Sequence, residues 1–123
     1  MSTALNDVAS AAFLATGLAP ATQSSSPTGS TIDMISADGP CFAVQQVGSF
    51  SADSLAGYIE ESADGSSWAA IDSAEFAEVT AGSNLQVIQF VRTARYVRYA
   101  ATLEGDTPSV AMAVLIGEQK KTL

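Results

Sequence analysis

From residue 31 onward, hydrophobic and polar residues alternate in short runs that are separated by turn-forming residues. Alternation with a period of two is typical of β-strands that bury one face. The pattern predicts about seven or eight strands, within residues 31–36, 41–47, 55–62, 68–71, 76–80, 85–90, 96–103 and 110–116. Short strands separated by regularly spaced turns indicate an all-β, antiparallel β-sandwich.

The clearest turn is Asp64-Gly65, between two of these runs. An aspartate followed by glycine favours a tight hairpin, because both residues tolerate the positive φ that such turns require. Residues 37–40 and 105–108 contain the Gly and Pro of two further turns. No helix is predicted within the sandwich.

The first thirty residues have a different pattern. Small residues dominate 1–19, residues 20–30 form a tract rich in Pro, Ser and Thr, and the apolar residues are Leu5, Val8, Phe13, Leu14 and Leu18. Because Leu5, Val8 and Ala12 fit one face of a short helix, we expect an extended or partly helical arm that packs on another surface. The alternative is a frayed chain end. The predicted organisation is an arm and linker over 1–30, a sandwich domain over 31–117 and an exposed tail over 118–123.

Composition narrows the functions that remain open. The 123 residues have no histidine, one cysteine and a net charge of −8. A chain of this length supports one domain. Without histidine there is no Ser-His-Asp triad, no Cys-His pair and no histidine-ligated zinc, and a single cysteine forms no internal disulfide. The acidic charge argues against nucleic acid or an anionic membrane as a partner.

The chain also lacks the signals of export. No lysine or arginine precedes the short apolar stretch 8–19, so no secretory signal peptide is predicted. The longest apolar run near the end, 110–116, is too short to cross a bilayer. A lone cysteine suits synthesis in a reducing cytoplasm.

Charge is distributed unevenly along the chain. Residues 1–91 contain ten acidic residues and no basic one, whereas residues 92–123 contain five basic and three acidic residues. Three of the basic residues are Arg92, Arg95 and Arg98. Two interpretations fit them: a docking stripe for an anionic partner, or ion pairs with carboxylates such as Glu60, Glu61 and Asp64.

No catalytic, metal-ligating or cofactor-binding residue is predicted. Glu60 and Glu61 are adjacent, and neighbours on a strand point to opposite faces, so they do not form a catalytic pair. Asp64, Asp72 and Glu75 offer oxygen atoms for calcium, but the turn already explains Asp64. No basic residue lies near Cys41 in the sequence to activate it, so it is predicted to be a small buried hydrophobe.

Flat aromatic rings raise one binding possibility. Tyr58 and Trp68 lie on either side of the predicted hairpin, where they could stack on the faces of a sugar. Aromatic residues in a small β-domain more often form the core or cross-strand pairs. The sequence fits both interpretations.

Two segments carry a resemblance to a known family: YIEESADGSSW over 58–68 and ARYVRY over 94–99. Together with the strand at 30–34, the strand at 41–47 and a closing strand, they follow an order that resembles phage capsid cement, or head decoration, proteins. The order holds over residues 30–117. The hairpin and the Arg-Tyr strand also resemble discoidin-like carbohydrate-binding modules, which are usually longer and carry flanking cysteines.

The resemblance to cement proteins implies a jelly-roll-like sandwich with no catalysis. It implies a virion structural protein on the outside of a phage head, made in the cytoplasm of the host bacterium. The implied partners are the major capsid protein and further copies of the chain, most often as a homotrimer. The alternatives are a carbohydrate-binding module on a virion or cell surface, and a structural protein of the tail or of head completion.

Overall fold

The computed structural model describes residues 12–120, and the side chains of residues 13–119. Eight strands account for most of them: β1 (Ala12–Gln23), β2 (Ile32–Asp33), β3 (Ala37–Ser51), β4 (Ser54–Ser62), β5 (Ala69–Glu75), β6 (Asn84–Phe90), β7 (Tyr96–Glu104) and β8 (Ser109–Lys120). They form two four-stranded sheets, sheet A in the order β1-β8-β3-β6 and sheet B in the order β2-β7-β4-β5. All neighbouring strands are antiparallel, so the prediction of an all-β, two-sheet protein is confirmed.

The core lies between the two sheets. Alternate residues of most strands point inward, as in Ile59 of β4 and Ile116 of β8, which are fully buried. One polar contact crosses this core: the Tyr99 hydroxyl of β7 donates to Oε1 of Gln45 on β3. Gly57 faces this contact, and both polar atoms occupy the space that a Cβ there would need. The sheets therefore pack closely around one buried hydrogen bond. The described residues contain no helix that could span a membrane.

The main difference from the predicted organisation concerns β1. Residues 12–23, expected in the arm, form an edge strand of sheet A paired with β8. The small side chains of Ala15 and Gly17 hid this strand from the alternation pattern, yet they suit the position, because a Cβ at Gly17 would lie only 3.0 Å from Ile116 Cδ1. Pro20 lies in an irregular stretch of the pairing, and an edge strand tolerates proline there. The expected helix over Leu5, Val8 and Ala12 falls largely outside the described residues.

The linker also belongs to the sandwich. Gly29 N–H donates to the Tyr99 carbonyl of sheet B, and Ser30 N–H donates to the Gly17 carbonyl of sheet A. These two bonds connect β7 of sheet B to β1, the edge strand of sheet A. A Cβ at Gly29 would collide with the Gly17 carbonyl oxygen, so glycine permits this close crossing.

Three further boundaries differ from the predicted ones. The run predicted at 31–36 contributes only the two-residue strand β2, and the strand predicted at 76–80 is reduced to an isolated bridge between Val79 and Leu55. The exposed tail expected from residue 118 is wrong for its first residues, because β8 continues to Lys120 and Glu118 is 1% exposed. An inward-facing glutamate looks like the start of a polar tail in the sequence, since its partner lies elsewhere in the chain.

Candidate interaction surface

One row of outward side chains crosses all four strands of sheet A. Thr16 on β1 pairs with Leu115 on β8. On the other side of β8, Leu115 pairs with Val44 on β3, and Val44 pairs with Val87 on β6. Residues paired across antiparallel strands point to the same face. Leu115 and Val87 are exposed to 39% and 62%, so the row is a band of apolar surface.

The rows on either side extend this band. Leu85, 64% exposed, lies on β6 opposite Gln46 of β3. In the other direction, Leu14 and Phe42 flank Gly117, and the Phe42 ring occupies the space that a Cβ at Gly117 would need. Monomeric proteins rarely leave a large continuous apolar surface open to water. This part of sheet A is therefore the strongest candidate for a binding surface.

The same surface is free of charge. No residue is charged over the strand segments 14–22, 42–48, 85–89 and 111–117. We call the outward side chains of these segments the uncharged face. The outer side of sheet B differs, since it carries Glu60, Asp72, Glu75 and Arg98. Within the described residues, the charged side chains are thus confined to sheet B, the loops and the strand ends.

The uncharged face has relief. A hollow of about 270 Å³ lies over β1, β8 and β3, with Leu18, Val44 and Leu115 in its walls. Thr16 and Pro20 complete the side formed by β1. The exposed side chains of Leu85 and Val87 stand on β6, at the opposite edge of the sheet. A projection and a hollow are therefore present on the same face.

The outer side of sheet B contains Trp68, one of the two residues considered for sugar stacking. The guanidinium of Arg98 lies 4.3 Å from the centre of the Trp68 ring and donates to Glu60 at 2.7 Å. A cation over an aromatic face is a favourable contact. It also covers one face of the indole ring, so only the other face remains for a ligand.

Tyr58, the second of these residues, lines a groove of about 440 Å³ between β4 and β5. The groove exists because the strands separate: Tyr58 pairs with Glu75 and Glu60 pairs with Ala70, which leaves four residues of β5 opposite one of β4. Ser73 within this bulge has a φ of 65°. Trp68 is not among the residues that line the groove, so the structure does not bring the two rings together in one site.

Arg92 is the most buried of the three predicted arginines. Its Nε donates to Glu118 at 2.9 Å, and its remaining donors bond the carbonyl oxygens of Met34, Ala37 and Ala94. The Cys41 thiol donates to the second Glu118 oxygen at 3.2 Å. Burial, with the nearby Glu118 carboxylate, raises the pKa of Cys41 to about 12, so the thiol stays protonated and unreactive.

The other two arginines are also paired, and the three do not form one continuous stripe. Arg95 bonds both carboxylate oxygens of Asp33, at 2.9 and 2.7 Å, and its guanidinium lies over Tyr96. Arg98 lies on the outer side of sheet B, whereas Arg92 points into the end of the sandwich. Each of the three arginines thus has a carboxylate partner: Glu118, Asp33 and Glu60. Of the carboxylates named for the ion-pair interpretation, Glu60 is one of these partners, whereas Glu61 and Asp64 bond other groups.

The carboxylates considered for catalysis or calcium bind parts of the protein itself. Glu61 accepts bonds from Thr93 N–H, the Thr93 hydroxyl and Ala94 N–H. Burial alone would raise the pKa of Glu61, but these bonds outweigh it and lower the pKa. Glu60 bonds Arg98 instead, so the two glutamates act apart. Within residues 12–120, no group of three or more His, Cys, Asp or Glu side chains is placed to hold a metal ion.

Asp64 organises the hairpin between β4 and β5. Its carboxylate accepts the N–H groups of Ser67 and Ser66 and the Ser62 hydroxyl, and these bonds lower its pKa to about 2. Gly65 follows with a φ of 81°, which is the positive φ expected from the Asp-Gly pair. Asp64 is therefore a turn-forming residue.

This geometry predicts a pH dependence of stability. Asp64 and Asp33 both have a pKa of about 2 in the folded protein, Asp33 because Arg95 bonds its carboxylate. A carboxyl whose pKa is lower in the folded state stabilises the fold above its unfolded pKa, near 4, and loses that contribution as the pH falls toward 2. We expect urea midpoints to drop between pH 4 and pH 2, and to drop less in the Asp33→Asn, Asp64→Asn double variant. Equal drops in the two proteins would contradict this origin.

The described residues of the predicted arm lie in different environments. Leu5 and Val8 lie outside the described residues. Phe13 and Leu18 belong to β1 and pack against the core, while Leu14 is exposed on the uncharged face. Of the predicted arm contacts, Leu14 is thus the described side chain that is available to a partner.

Leu85 and Val87 are not among the site residues predicted from the sequence, although the sequence carries a signal for them. Residues 84–90 are apolar on both faces: Ile88 and Phe90 point inward, and Leu85 and Val87 point outward. A strand at the edge of a two-layer sandwich needs only one apolar face. The second apolar face indicates a further contact.

No protein-family model, curated protein or solved structure matches the chain. The fold and the surface geometry together define an all-β sandwich whose sheet A has an uncharged outer face.

Proposed function

We propose that the sandwich is a jelly roll, the topology that the resemblance to cement proteins implies. A jelly roll is a long antiparallel hairpin of eight strands rolled into two sheets. Such a hairpin pairs β1 with β8, β2 with β7, β3 with β6, and β4 with β5. All four pairs are neighbours in the observed strand orders, and this agreement supports the proposal.

We propose further that the protein is a non-catalytic structural component of a virion, a cement protein bound to the outside of a phage head. The observation that carries this proposal is the uncharged face of sheet A. A protein that works by assembly needs a surface it can bury without desolvating charge, and this chain has one that crosses four strands.

The distribution of the remaining charge fits the same role. Within residues 12–120, the acidic groups lie on sheet B, the loops and the strand ends. A net charge of −8 suits the exterior of a particle filled with DNA better than its interior. All three arginines of the predicted stripe are engaged within the chain, which leaves the acidic groups dominant at the surface. The major capsid protein is the partner that this role implies.

The test is binding to assembled shells. The purified chain is mixed with empty heads of the major capsid protein encoded in the same genome, and the shells are pelleted through sucrose. We expect the protein to pellet with the shells up to a fixed ratio and to raise their melting temperature. A protein that stays in the supernatant at every ratio would overturn the proposal. Imaging of whole virions then separates a head position from a tail position.

The groove beside Tyr58 supports a second candidate, a carbohydrate-binding module. The groove combines an aromatic ring with the carboxylates of Glu60, Asp72 and Glu75, and sugars bind to such a combination of ring faces and hydrogen-bond acceptors. A glycan array tests this candidate with the wild type, Tyr58→Ala and Trp68→Ala. This function would be favoured over the first if the wild type binds a glycan but not the shells, and if Tyr58→Ala loses the glycan binding.

A further inference from the structure

The projection and the hollow on the uncharged face lie at the same height along the strands. Val87 belongs to the row of Val44, Leu115 and Thr16, and the hollow is lined by three members of this row. Leu85 belongs to the next row, through Gln46. The apolar side chains of β6 and the hollow over β1, β8 and β3 are therefore related by a shift across the sheet alone.

This placement satisfies the condition for a two-fold contact. In a two-fold interface the same surface serves both partners, so each feature must find its complement on that surface. A two-fold axis parallel to the strands, between the faces of two copies, brings β6 of each copy opposite β1 of the other. Leu85 and Val87 of each copy then lie over the hollow of its partner.

Charge repulsion favours the uncharged face over the rest of the surface for a contact between two copies. Each chain carries −8, so two copies repel each other in most orientations. A contact through sheet B would bring the Asp72 and Glu75 carboxylates of both copies together. The uncharged face avoids this repulsion, because no charged residue lies within the segments that form it.

The area of the uncharged face fits a weak contact between copies. Four strands about 4.8 Å apart span about 19 Å, and seven paired residues along β3 and β6 span about 23 Å. The face thus covers about 440 Å² in projection. Two such faces, with the added relief of their side chains, approach the lower end of specific interfaces, about 1,200 Å² in total. Association is therefore expected to depend on protein concentration.

We propose that the uncharged face binds a second copy of this chain in a two-fold, face-to-face dimer, with Leu85 and Val87 of each copy seated in the hollow beside Thr16 of the other. The inference rests on the proposed structural role and names the first partner of that surface. It differs from the three-fold assembly that the resemblance implies. A three-fold ring joins two different surfaces of each copy, whereas the projection and the hollow lie on one face of sheet A.

Sedimentation velocity of the full chain over a range of concentrations tests the dimer. We expect a monomer–dimer equilibrium whose dissociation constant rises at least 10-fold in Val87→Lys and in Thr16→Asp. The matched control is Thr102→Lys, an exposed strand position on the outer side of sheet B, which leaves the equilibrium within about 2-fold. Far-UV circular dichroism verifies that all three variants are folded.

Mixing provides a sharper test. In a mixed dimer, Lys at position 87 of one copy faces Asp at position 16 of the other, while the second contact is wild type. An equimolar mixture of Val87→Lys and Thr16→Asp is therefore expected to dimerise more strongly than either variant alone. A monomer at every concentration, a dimer insensitive to Val87→Lys, or no gain on mixing would overturn the proposal.

Shell binding distinguishes this failure from failure of the proposed function. If the wild type is monomeric and Val87→Lys abolishes binding to shells, the uncharged face binds the capsid, so the dimer is wrong and the structural role stands. If the wild type dimerises as described but never pellets with shells, the dimer stands and the cement function is wrong.

Discussion

Replacing Arg92 by alanine is expected to lower the free energy of unfolding by about 3–5 kcal/mol, the range for breaking a buried ion pair by removing one partner. Glu118 is 1% exposed, so its charge would remain in the core without a counterion. The carbonyl oxygens of Met34, Ala37 and Ala94 would each lose a donor as well. Urea unfolding followed through the fluorescence of Trp68, the single tryptophan, measures the loss.

Arg95→Ala is the matched control, because it breaks an ion pair of similar length that is 46% and 42% exposed. Exposed pairs contribute about 0–1 kcal/mol. The Arg92→Ala, Glu118→Gln double variant should regain part of the loss, since a neutral amide leaves no charge to bury. Similar losses in Arg92→Ala and Arg95→Ala would show that the burial of Glu118 has little energetic weight.

Ile59→Ala is expected to cost about 2–5 kcal/mol, the range for truncating a buried isoleucine to alanine. Ile59 lies in β4 and is fully buried in the cluster shared by both sheets. Truncation removes its contacts and leaves a cavity that strands of both sheets can only partly fill. The same urea experiment measures the change.

Ile35→Ala supplies the control with the same chemistry. Ile35 is 52% exposed and follows β2, so its truncation should change stability by no more than about 0.5 kcal/mol. Comparable losses in the free energy of unfolding at the two positions would contradict the placement of Ile59 in the core and of Ile35 at the surface.

The parts of the fold that sequence predicts are those whose information is local. Strands such as β3 and β8 bury every second residue over most of their length, and Asp64-Gly65 specifies its own turn through bonds within residues 62–67. The hydrophobic pattern does not predict β1, because small residues occupy two of its inward positions, Ala15 and Gly17. They fit there only because Ile116 of β8 reaches across the sheet toward them, a contact between residues about a hundred positions apart.

The candidate surface divides in the same way. That residues 84–90 are apolar on both faces can be read from the chain, but the row linking Val87 to Thr16 requires the strand order of sheet A. The burial of Glu118 also depends on a residue that is distant in the sequence. Next to a polar chain end, Glu118 predicts an exposed tail, and only the distant Arg92 accounts for its burial.

The position of β8 determines when the protein can fold. This strand comes last among the eight yet lies between β1 and β3 in sheet A. The edge of β1 that pairs with β8 therefore has no hydrogen-bond partner until residues 109–120 are available. During synthesis the first hundred residues leave the ribosome with sheet A divided. Sheet A can therefore complete only after β8 has been translated, in a step governed by contacts between distant residues, which is typical of slow folding.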